Sequence, residues 1–403
     1  AILVVNLGLI GAILLIIFTV FHIKKGPCEW TKMNSLKRVP AISFRDNGSL
    51  DALLISIDYS LIYFKQMNPD TQIHLGEDIF LISQVVDSLI DFKKKLKTWG
   101  FTDTFFRYIE DNYYIYKSSS RRVLFTGYFE AYLKGSLTPS AIYNFPIYKR
   151  PDDLVEVDLS KFNLFNNKKV VRNILKGRLT KDNHVVPYYS RKEIDSDGSL
   201  AGRDIEIAWI DDPADVFFLQ IQGSGIVELE NNEKLRVNYD NSNGHPYRAI
   251  GQLLLDRGLL HRNDISMQSI RKYIENNPEE REEIFNYNPS YVFFKIVEEG
   301  PIGYIKVPVT PYRSIATDKD IFPLGMLCYV ETELPVFDDK GELSGWREHR
   351  GFVLNQDTGG AIRTPGRVDF FTGMGEQSEL TAGHLKREGM FYFLLKARGA
   401  GTL

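Results

Sequence analysis

The segment QDTGGAIRTPGRVDFF, from Gln356 to Phe371, carries two aspartates near the end of the chain. Asp369 is flanked by the apolar residues Val368 and Phe370, as a carboxylate held in a sheet is, whereas Asp357 lies between Gln356 and Thr358. The Gly-Gly and Pro-Gly pairs between them indicate turns. Asp-Thr-Gly at 357–359 also suggests an aspartic protease, but such an enzyme needs two carboxylates that share one proton. The chain has no second copy of this tripeptide, so the protease interpretation is weak.

Composition limits the function classes. The chain has 403 residues, 43% hydrophobic and 13% aromatic, which is enough for a large core and indicates two domains. The net charge of −3 and the lack of a basic block give no reason to expect nucleic-acid binding. Cys28 and Cys328 are the only cysteines, so there is no disulfide framework and no zinc-ligand spacing. A single bridge between them stays open. We expect no metal and no cofactor.

The N-terminus has the strongest compositional signal. Residues 2–21 contain no charged side chain, and about 20 helical residues match the thickness of a bilayer. The following sequence FHIKKGPCEW lacks the small-residue cleavage site of a signal peptide. These features predict an uncleaved membrane anchor over residues 1–23 and a linker over 24–47. Lys24 and Lys25 oppose an exported orientation, because positive charges favour the cytoplasmic side.

Periodicity predicts a mainly β protein with helices, of the α+β class. The region from the linker to Ser118 has helical spacing of apolar residues. The segments RRVLFTGYF, YIKVPV and GMLCYVET read as strands, and VELENNEKLRVNY reads as a hairpin. Helices are expected again between 245 and 288, with one beginning at Pro246 and ending at Gly258, and two short ones separated before Pro278.

The segment FFLQIQGSG, from Phe217 to Gly225, predicts a strand that places Gln220 and Gln222 on one face. Two neighbouring amides followed by Gly223 and Ser224 suit a groove that binds sugar hydroxyl and acetamido groups. The same pattern also fits an ordinary strand whose glutamines are only solvated.

Other candidate residues have equally ordinary explanations. In LFTGYFEAYLKGS, Thr126, Tyr128 and Glu130 alternate on one face of a strand, where Tyr128 could stack on a sugar ring or only pack in a sheet. His245 has no second ligand at metal-binding spacing and is interpreted as a residue at a helix start. Asp318 is interpreted as a turn or cap aspartate.

Taken together, the chain resembles the membrane-bound lytic transglycosylase A family, which cleaves bacterial peptidoglycan. The resemblance extends from about 124 to 396 and rests on the order of many segments. These are FTGYFEAYLKGS, FPIYKRP, YYSRKEID, LAGRDIEIAWIDDPADVFFLQIQGSG, NGHPYRAIGQLLLDRG, SMQSIR, NPSYVFF, VPVTPYRSIATDKDIFPLG, QDTGGAIRTPGRVDFFTGMGE and AGHLKREGMFYFLL.

The resemblance implies a fold and a location. The fold would be a double-psi β-barrel, roughly 32–128 plus 299–398, with a second β-rich domain, 129–298, inserted into it. A groove between the two would hold the glycan. The catalytic domain would lie in the periplasm, tethered to a membrane by its N-terminal helix and acting as a monomer on peptidoglycan strands.

The resemblance also implies residue roles. The family's catalytic acid falls in the motif matched by RVDFF, which places it at Asp369, with Asp357 and Asp318 at supporting acidic positions. Groove positions fall at Thr126 and Tyr128 and in the QIQGSG stretch, which includes Gln220, Gln222, Gly223 and Ser224.

The implied reaction needs one carboxyl group and no water. Asp369 would protonate the departing oxygen and then accept a proton from the C6 hydroxyl of N-acetylmuramic acid, which attacks its own C1. Three alternatives remain: a hydrolase in which Asp357 or Asp318 activates water, a glycan-binding module without catalysis, and the aspartic protease.

Overall fold

The computed structural model describes residues 35–162, 174–261 and 265–397. The predicted anchor over residues 1–23 and Cys28 lie outside these ranges, and so does the start of the predicted linker. Within them, no helix combines the length and the apolar character needed to cross a bilayer. Cys328 is a buried free thiol.

The helices in these ranges are mostly short. They are α1 (Leu50–Phe64), α2 (Ile82–Trp99), α3 (Asp103–Asn112), α4 (Arg191–Asp195), α5 (Pro213–Gln222), α6 (Ile250–Asp256), α7 (Met267–Asn276), α8 (Arg281–Asn286) and α9 (Glu376–His384). One 3₁₀ turn spans Leu159–Lys161.

The strands carry most of the architecture. They are β1 (Leu36–Val39), β2 (Gln72–Leu75), β3 (Asp78–Leu81), β4 (Tyr113–Ser118), β5 (Val123–Ser136), β6 (Phe145–Tyr148), β7 (Leu154–Asp158), β8 (Ile174–Leu179), β9 (Val185–Val186), β10 (Glu206–Ile210), β11 (Ser224–Leu229), β12 (Lys234–Ser242), β13 (Val292–Ile296), β14 (Ser314–Ala316), β15 (Leu327–Phe337), β16 (Leu343–Asp357), β17 (Arg367–Met374) and β18 (Lys386–Lys396).

Among the described residues, six strands close into a first barrel in the order β5, β18, β15, β16, β14, β17 and back to β5. β17 runs parallel to β5 and β14 parallel to β16, while the other four neighbours are antiparallel. Apolar side chains of the barrel share one buried core with α1, α2 and α3. Closure gives each of these six strands two neighbours, while β4 pairs in addition with the end of β18, and β1 pairs with β4 and is an edge strand.

β5 continues into a second sheet. Its residues 123–130 pair with β17 and β18, and residues 131–136 pair with β11 and β10. β11 continues to β12 and β13, β10 pairs with β6, and a single parallel bridge between Lys149 and Phe294 returns β6 to β13. A separate core fills this second ring. One long strand therefore joins the two β units.

Helix α9 packs closely on β5 in the first barrel. A Cβ atom added at Gly127 would lie 2.6 Å from the Cα of Ala382, which is inside any allowed contact. Gly127 therefore permits the helix to approach the strand between the two candidate site residues Thr126 and Tyr128.

The mainly β fold with helices is confirmed, and so are the hairpin at Asn231–Asn232 and the two short helices around Pro278. The strand predicted over 217–222 is wrong, because these residues belong to α5. Asp212 caps that helix, Pro213 begins it, and Gly223 ends it with a positive φ of 83°. The cap, proline and glycine signals outweigh the alternation of apolar residues.

Two other local predictions are wrong. YIKVPV, residues 304–309, forms a turn instead of a strand, because Lys306 has a φ of 61° and its N–H donates to the carbonyl of Gly303. The helix expected at Pro246 begins at Ile250 instead. The loop before this helix contacts the segment around Tyr188, because the Nε2 of His245 lies 2.7 Å from the carbonyl oxygen of Tyr188.

Candidate active site

The register of the first barrel brings two aspartates to one face. Asp369 on β17 pairs with Thr126 on β5 and with Ala316 on β14. Ala316 pairs in turn with Asp357, the last residue of β16. Side chains of directly opposite residues point to the same face of a sheet. Thr126, Asp369, Ala316 and Asp357 therefore form one row across four strands.

Asp369 is held by side chains alone among the contacts of the described residues. Thr126 Oγ1 donates to its Oδ1. Arg367, two residues earlier on the same strand, donates from Nε to Oδ1 at 2.8 Å and from Nη2 to Oδ2 at 3.0 Å. The side chain of Asp369 is 14% exposed, so solvent or substrate reaches it.

Asp357 is held mainly by the backbone. Its Oδ1 accepts the N–H groups of Tyr304 at 2.9 Å and Thr358 at 2.8 Å, and its Oδ2 accepts the hydroxyl of Tyr128 at 3.0 Å. Burial raises the pKa of Asp357 to about 6, although the three hydrogen bonds act to lower it. The charge of Asp369 also raises this pKa. Burial and the same Asp357 carboxylate raise the pKa of Tyr128 well above its usual range, so its hydroxyl keeps its proton as a donor.

A buried amide fixes the strand end that carries Asp357. Gln356 donates from Nε2 to the carbonyl of Ser56 at 2.7 Å and to the hydroxyl of Ser60 at 3.0 Å. Its Oε1 accepts the hydroxyls of Ser56 at 3.1 Å and Ser314 at 2.6 Å. These bonds tie α1 and β14 to β16 and so fix the backbone on which Asp357 stands.

Asp318 forms a turn just beyond β14, as its default interpretation predicted. Its Oδ1 accepts the N–H of Asp320 at 3.0 Å, and its side chain is nearly buried, which raises its pKa. The residue before it, Thr317, donates its N–H to the carbonyl of Asp357 at 3.1 Å. The turn is thus connected to the aspartate row through the backbone.

The two glutamines have different surroundings. Gln220 is 6% exposed, and its Oε1 accepts the Nη2 of Arg191 at 2.5 Å inside the second β unit. Gln222 Oε1 accepts the N–H of Phe129 at 3.1 Å, next to Tyr128 on β5. Gly223 ends α5, and Ser224 is buried at the first position of β11. Gln222 is therefore connected to the aspartate face through β5, whereas Gln220 is engaged with Arg191.

Sequence reasoning overlooked Arg367, although alternation along a strand would have placed it on the face of Asp369. It could not have found the contact of the Tyr304 N–H, which depends on a turn. In the part of the chain that the structure describes, no group of three His, Cys, Asp or Glu side chains is arranged to hold a metal ion. The arrangement offers two differently held carboxyl groups beside a tyrosine, a threonine and an arginine, which suits proton transfer.

Two family models match the chain. The one described as "MltA specific insert domain" matches residues 124–295, and the one described as "3D domain" matches residues 313–395. The first range covers most of β5 and the second β unit, and the second range covers β14 to β18 except the last residue.

Known proteins extend this match. The membrane-bound lytic murein transglycosylase A of Escherichia coli (strain K12) is 32% identical over 284 residues, which are 70% of this chain and 68% of that protein. The crystal structure of membrane-bound lytic murein transglycosylase from Agrobacterium tumefaciens superposes with a TM-score of 0.72 at 29% identity, covering 90% of this chain and 98% of that one.

A third similarity shows the fold alone. The structure of E. coli MltA with bound chitohexaose has a TM-score of 0.65 at 23% identity and covers 90% of this chain and 94% of that chain. The sequence match and the two structural matches agree with the resemblance found in the sequence. The chain belongs to the membrane-bound lytic murein transglycosylase A family.

Proposed function

We propose that Asp369 is the acid and base of a lytic transglycosylase that cleaves peptidoglycan. The bond is the β-1,4 linkage between N-acetylmuramic acid and N-acetylglucosamine, and the product ends in 1,6-anhydro-N-acetylmuramic acid. The observation that carries the proposal is the row Thr126, Asp369, Ala316 and Asp357 on one face of the first barrel. In that row the Asp369 carboxylate is partly exposed, and its hydrogen bonds to the described residues come from the side chains of Thr126 and Arg367.

One carboxyl group is sufficient for this reaction. Protonated Asp369 gives its proton to the glycosidic oxygen, and the bond from that oxygen to C1 of N-acetylmuramic acid breaks. The C6 hydroxyl of the same sugar forms a new bond to C1 and returns its proton to Asp369. The carboxyl group is regenerated and no water is consumed. Because the attack is intramolecular, proximity contributes up to about 7–11 kcal/mol in well-oriented cases.

The contacts of Asp357 favour a supporting role. Two backbone N–H groups and a tyrosine hydroxyl already use its oxygens, so it is poorly placed to activate a water molecule. A carboxyl group held in this way keeps Tyr128 in place and sets the electrostatic potential beside Asp369. Asp318 supports the same strand end through its turn.

The groove follows from the same contacts. Thr126 and Tyr128 lie on the aspartate face of β5, and Gln222, Gly223 and Ser224 continue from it at the junction with the second β unit. These residues bind acetamido and hydroxyl groups of the glycan. Gln220 supports them from within, through Arg191.

The proposal extends to the organisation of the molecule. The chain is anchored to a membrane by its N-terminal segment and acts as a monomer in the periplasm, with a barrel domain over 32–128 and 299–398 and an inserted domain over 129–298. A protein that lacks residues 1–34 should leave the membrane fraction and keep its activity on isolated sacculi. A soluble, folded and inactive protein would show that the segment does more than tether.

The reaction type is tested on the products. Digestion of sacculi in isotopically labelled water, followed by mass spectrometry, should give ends of 1,6-anhydro-N-acetylmuramic acid without labelled oxygen. Labelled reducing ends would show that water attacks and would replace this proposal by a hydrolase. Binding of sacculi without any cleavage would leave a glycan-binding module.

A further inference from the structure

The ion pair between Arg367 and Asp369 conflicts with the state that catalysis needs. Arg367 donates to both carboxylate oxygens, at 2.8 Å and 3.0 Å. Arginine keeps its proton under all working conditions, so it cannot supply the proton that a general acid must carry. A paired guanidinium also stabilises the charged form of a carboxyl group. The pair must therefore open before Asp369 can protonate a glycosidic oxygen.

The position of Arg367 allows that opening. It is the first residue of β17, and its side chain is 32% exposed on the face that carries Asp369. The two contacts to Asp369 are the only hydrogen bonds of its guanidinium to the described residues. Its long side chain can therefore turn into the groove, where the guanidinium would donate to oxygen atoms of the glycan.

Other charged and titratable groups face this pair from each neighbouring element. β16 contributes Asp357, β5 contributes Tyr128, and the loop before α6 contributes Tyr247, which is close enough to both Arg367 and Asp369 for electrostatic interaction. β18 contributes Lys386, opposite Thr126, whereas the β14 neighbour is Ala316. Of these groups, Arg367 is the one that forms hydrogen bonds to Asp369 in the described part of the chain.

We infer that Arg367 is a positioning residue that holds Asp369 in the free enzyme and releases it when a glycan strand binds. Release lets Asp369 take up a proton from water, so that protonation of the acid is coupled to substrate binding. This inference rests on the proposed role of Asp369. It assigns Arg367 no contact with the reacting atoms.

The coupling has a kinetic signature. The pH profile of kcat/KM reports the free enzyme, and that of kcat reports the substrate complex. Because the ion pair is closed in the free enzyme and must open for catalysis, kcat/KM should fall at a lower pH than kcat as the pH rises in the unaltered protein.

The experiment compares both profiles, measured on soluble glycan fragments of peptidoglycan, for the unaltered protein and three variants. In Arg367→Gln, kcat/KM should fall at the same pH as kcat, because no ion pair has to open. In Arg367→Lys, part of the pH difference between the two profiles should remain. Arg122→Gln removes an exposed guanidinium next to the start of β5, which lies 3.7 Å from the exposed Glu388 carboxylate, and should change neither pH profile.

Three results would overturn the inference. The first is that kcat and kcat/KM of the unaltered protein fall at the same pH, and the second is that their pH difference is unchanged in Arg367→Gln. The third is that kcat and kcat/KM of Arg367→Gln both decrease by the same factor together with its thermal stability. If a variant fails to fold, the two pH profiles of the unaltered protein still test the inference. Activity retained in Asp369→Asn would instead overturn the proposed role of Asp369. If Asp369→Asn is inactive but kcat and kcat/KM of the unaltered protein fall at the same pH, only the role of Arg367 is overturned.

Discussion

Asp369 and Asp357 lie in one cross-strand row of the first barrel, with Ala316 between them. Ala316 contributes only a methyl group to the row between the two carboxyl groups. The supports of the two residues differ: side chains hold Asp369, and backbone N–H groups hold Asp357. The two aspartates therefore differ in their surroundings: rotation of side chains would release Asp369, whereas Asp357 is held by the backbone.

Asp357 should make stability depend on pH. Its folded-state pKa of about 6 exceeds the ordinary 3.8. Between these values the folded protein holds a proton that the unfolded chain has released, so the free energy of unfolding falls as the pH rises. Because the asparagine of the Asp357→Asn variant does not titrate, the variant should not show this decrease in the free energy of unfolding. Its stability relative to the unaltered protein should increase by about 1–2 kcal/mol from pH 4 to pH 7, after allowance for solvent screening.

The measurement is denaturant unfolding of both proteins at several pH values in that range. Asn keeps an oxygen for the N–H groups of Tyr304 and Thr358, so the loop should stay in place. A stability difference that does not change with pH would contradict the raised pKa.

A buried ion pair should be essential to the first barrel. Arg313 and Asp46 are almost completely buried, and Arg313 donates from Nη1 and Nη2 to the two oxygens of Asp46, both at 2.8 Å. Arg313→Met leaves the Asp46 carboxylate buried without its partner and should cost about 3–5 kcal/mol of unfolding free energy. Thermal and denaturant unfolding measure this loss.

The exposed pair of Arg122 and Glu388 is the control, because its two side chains are 64% and 61% exposed. Arg122→Met should change the unfolding free energy by less than about 1 kcal/mol. Equal effects of the two arginine substitutions would show that burial of the Arg313 pair does not determine its importance.

The two glutamines should respond differently to alanine. Gln222→Ala removes the acceptor of the Phe129 N–H beside Tyr128 and should weaken glycan binding by up to about tenfold. Gln220→Ala leaves the buried guanidinium of Arg191 without one acceptor, so it should lower stability with little change in affinity. Calorimetric titration with a chitin oligomer and thermal unfolding separate these outcomes. Weaker binding in Gln220→Ala alone would reverse the assignment.

Local patterns predicted the parts of the site that depend on one strand. Alternation placed Thr126 and Tyr128 on one face of β5, and the apolar neighbours of Asp369 placed it on a strand. Which strands are neighbours depends on contacts between distant segments, such as β5 with β17. For that reason the row through Ala316 was not predictable from spacing. Alternation predicts a strand at the two glutamines, but the Asp-Pro start and the glycine end make this segment the helix α5.

The decisive prediction concerns Asp369. Asparagine preserves its shape but can neither give nor take the proton, so Asp369→Asn should lower turnover at least about 10²–10⁴-fold. Glycan binding should persist, because Thr126, Tyr128 and Gln222 are unchanged. Release of soluble fragments from sacculi measures turnover, and sedimentation with sacculi measures binding. Asp339→Asn, an exposed aspartate in the turn between β15 and β16, is the matched control and should leave both unchanged.

Asp357→Asn completes the comparison. If Asp357 only supports Asp369, its replacement leaves the proton carrier in place, and turnover should fall less than in Asp369→Asn. A larger loss in Asp357→Asn than in Asp369→Asn would exchange the two roles. In that case the fixed carboxyl group, whose raised pKa of about 6 allows it to carry a proton near neutral pH, would be the acid.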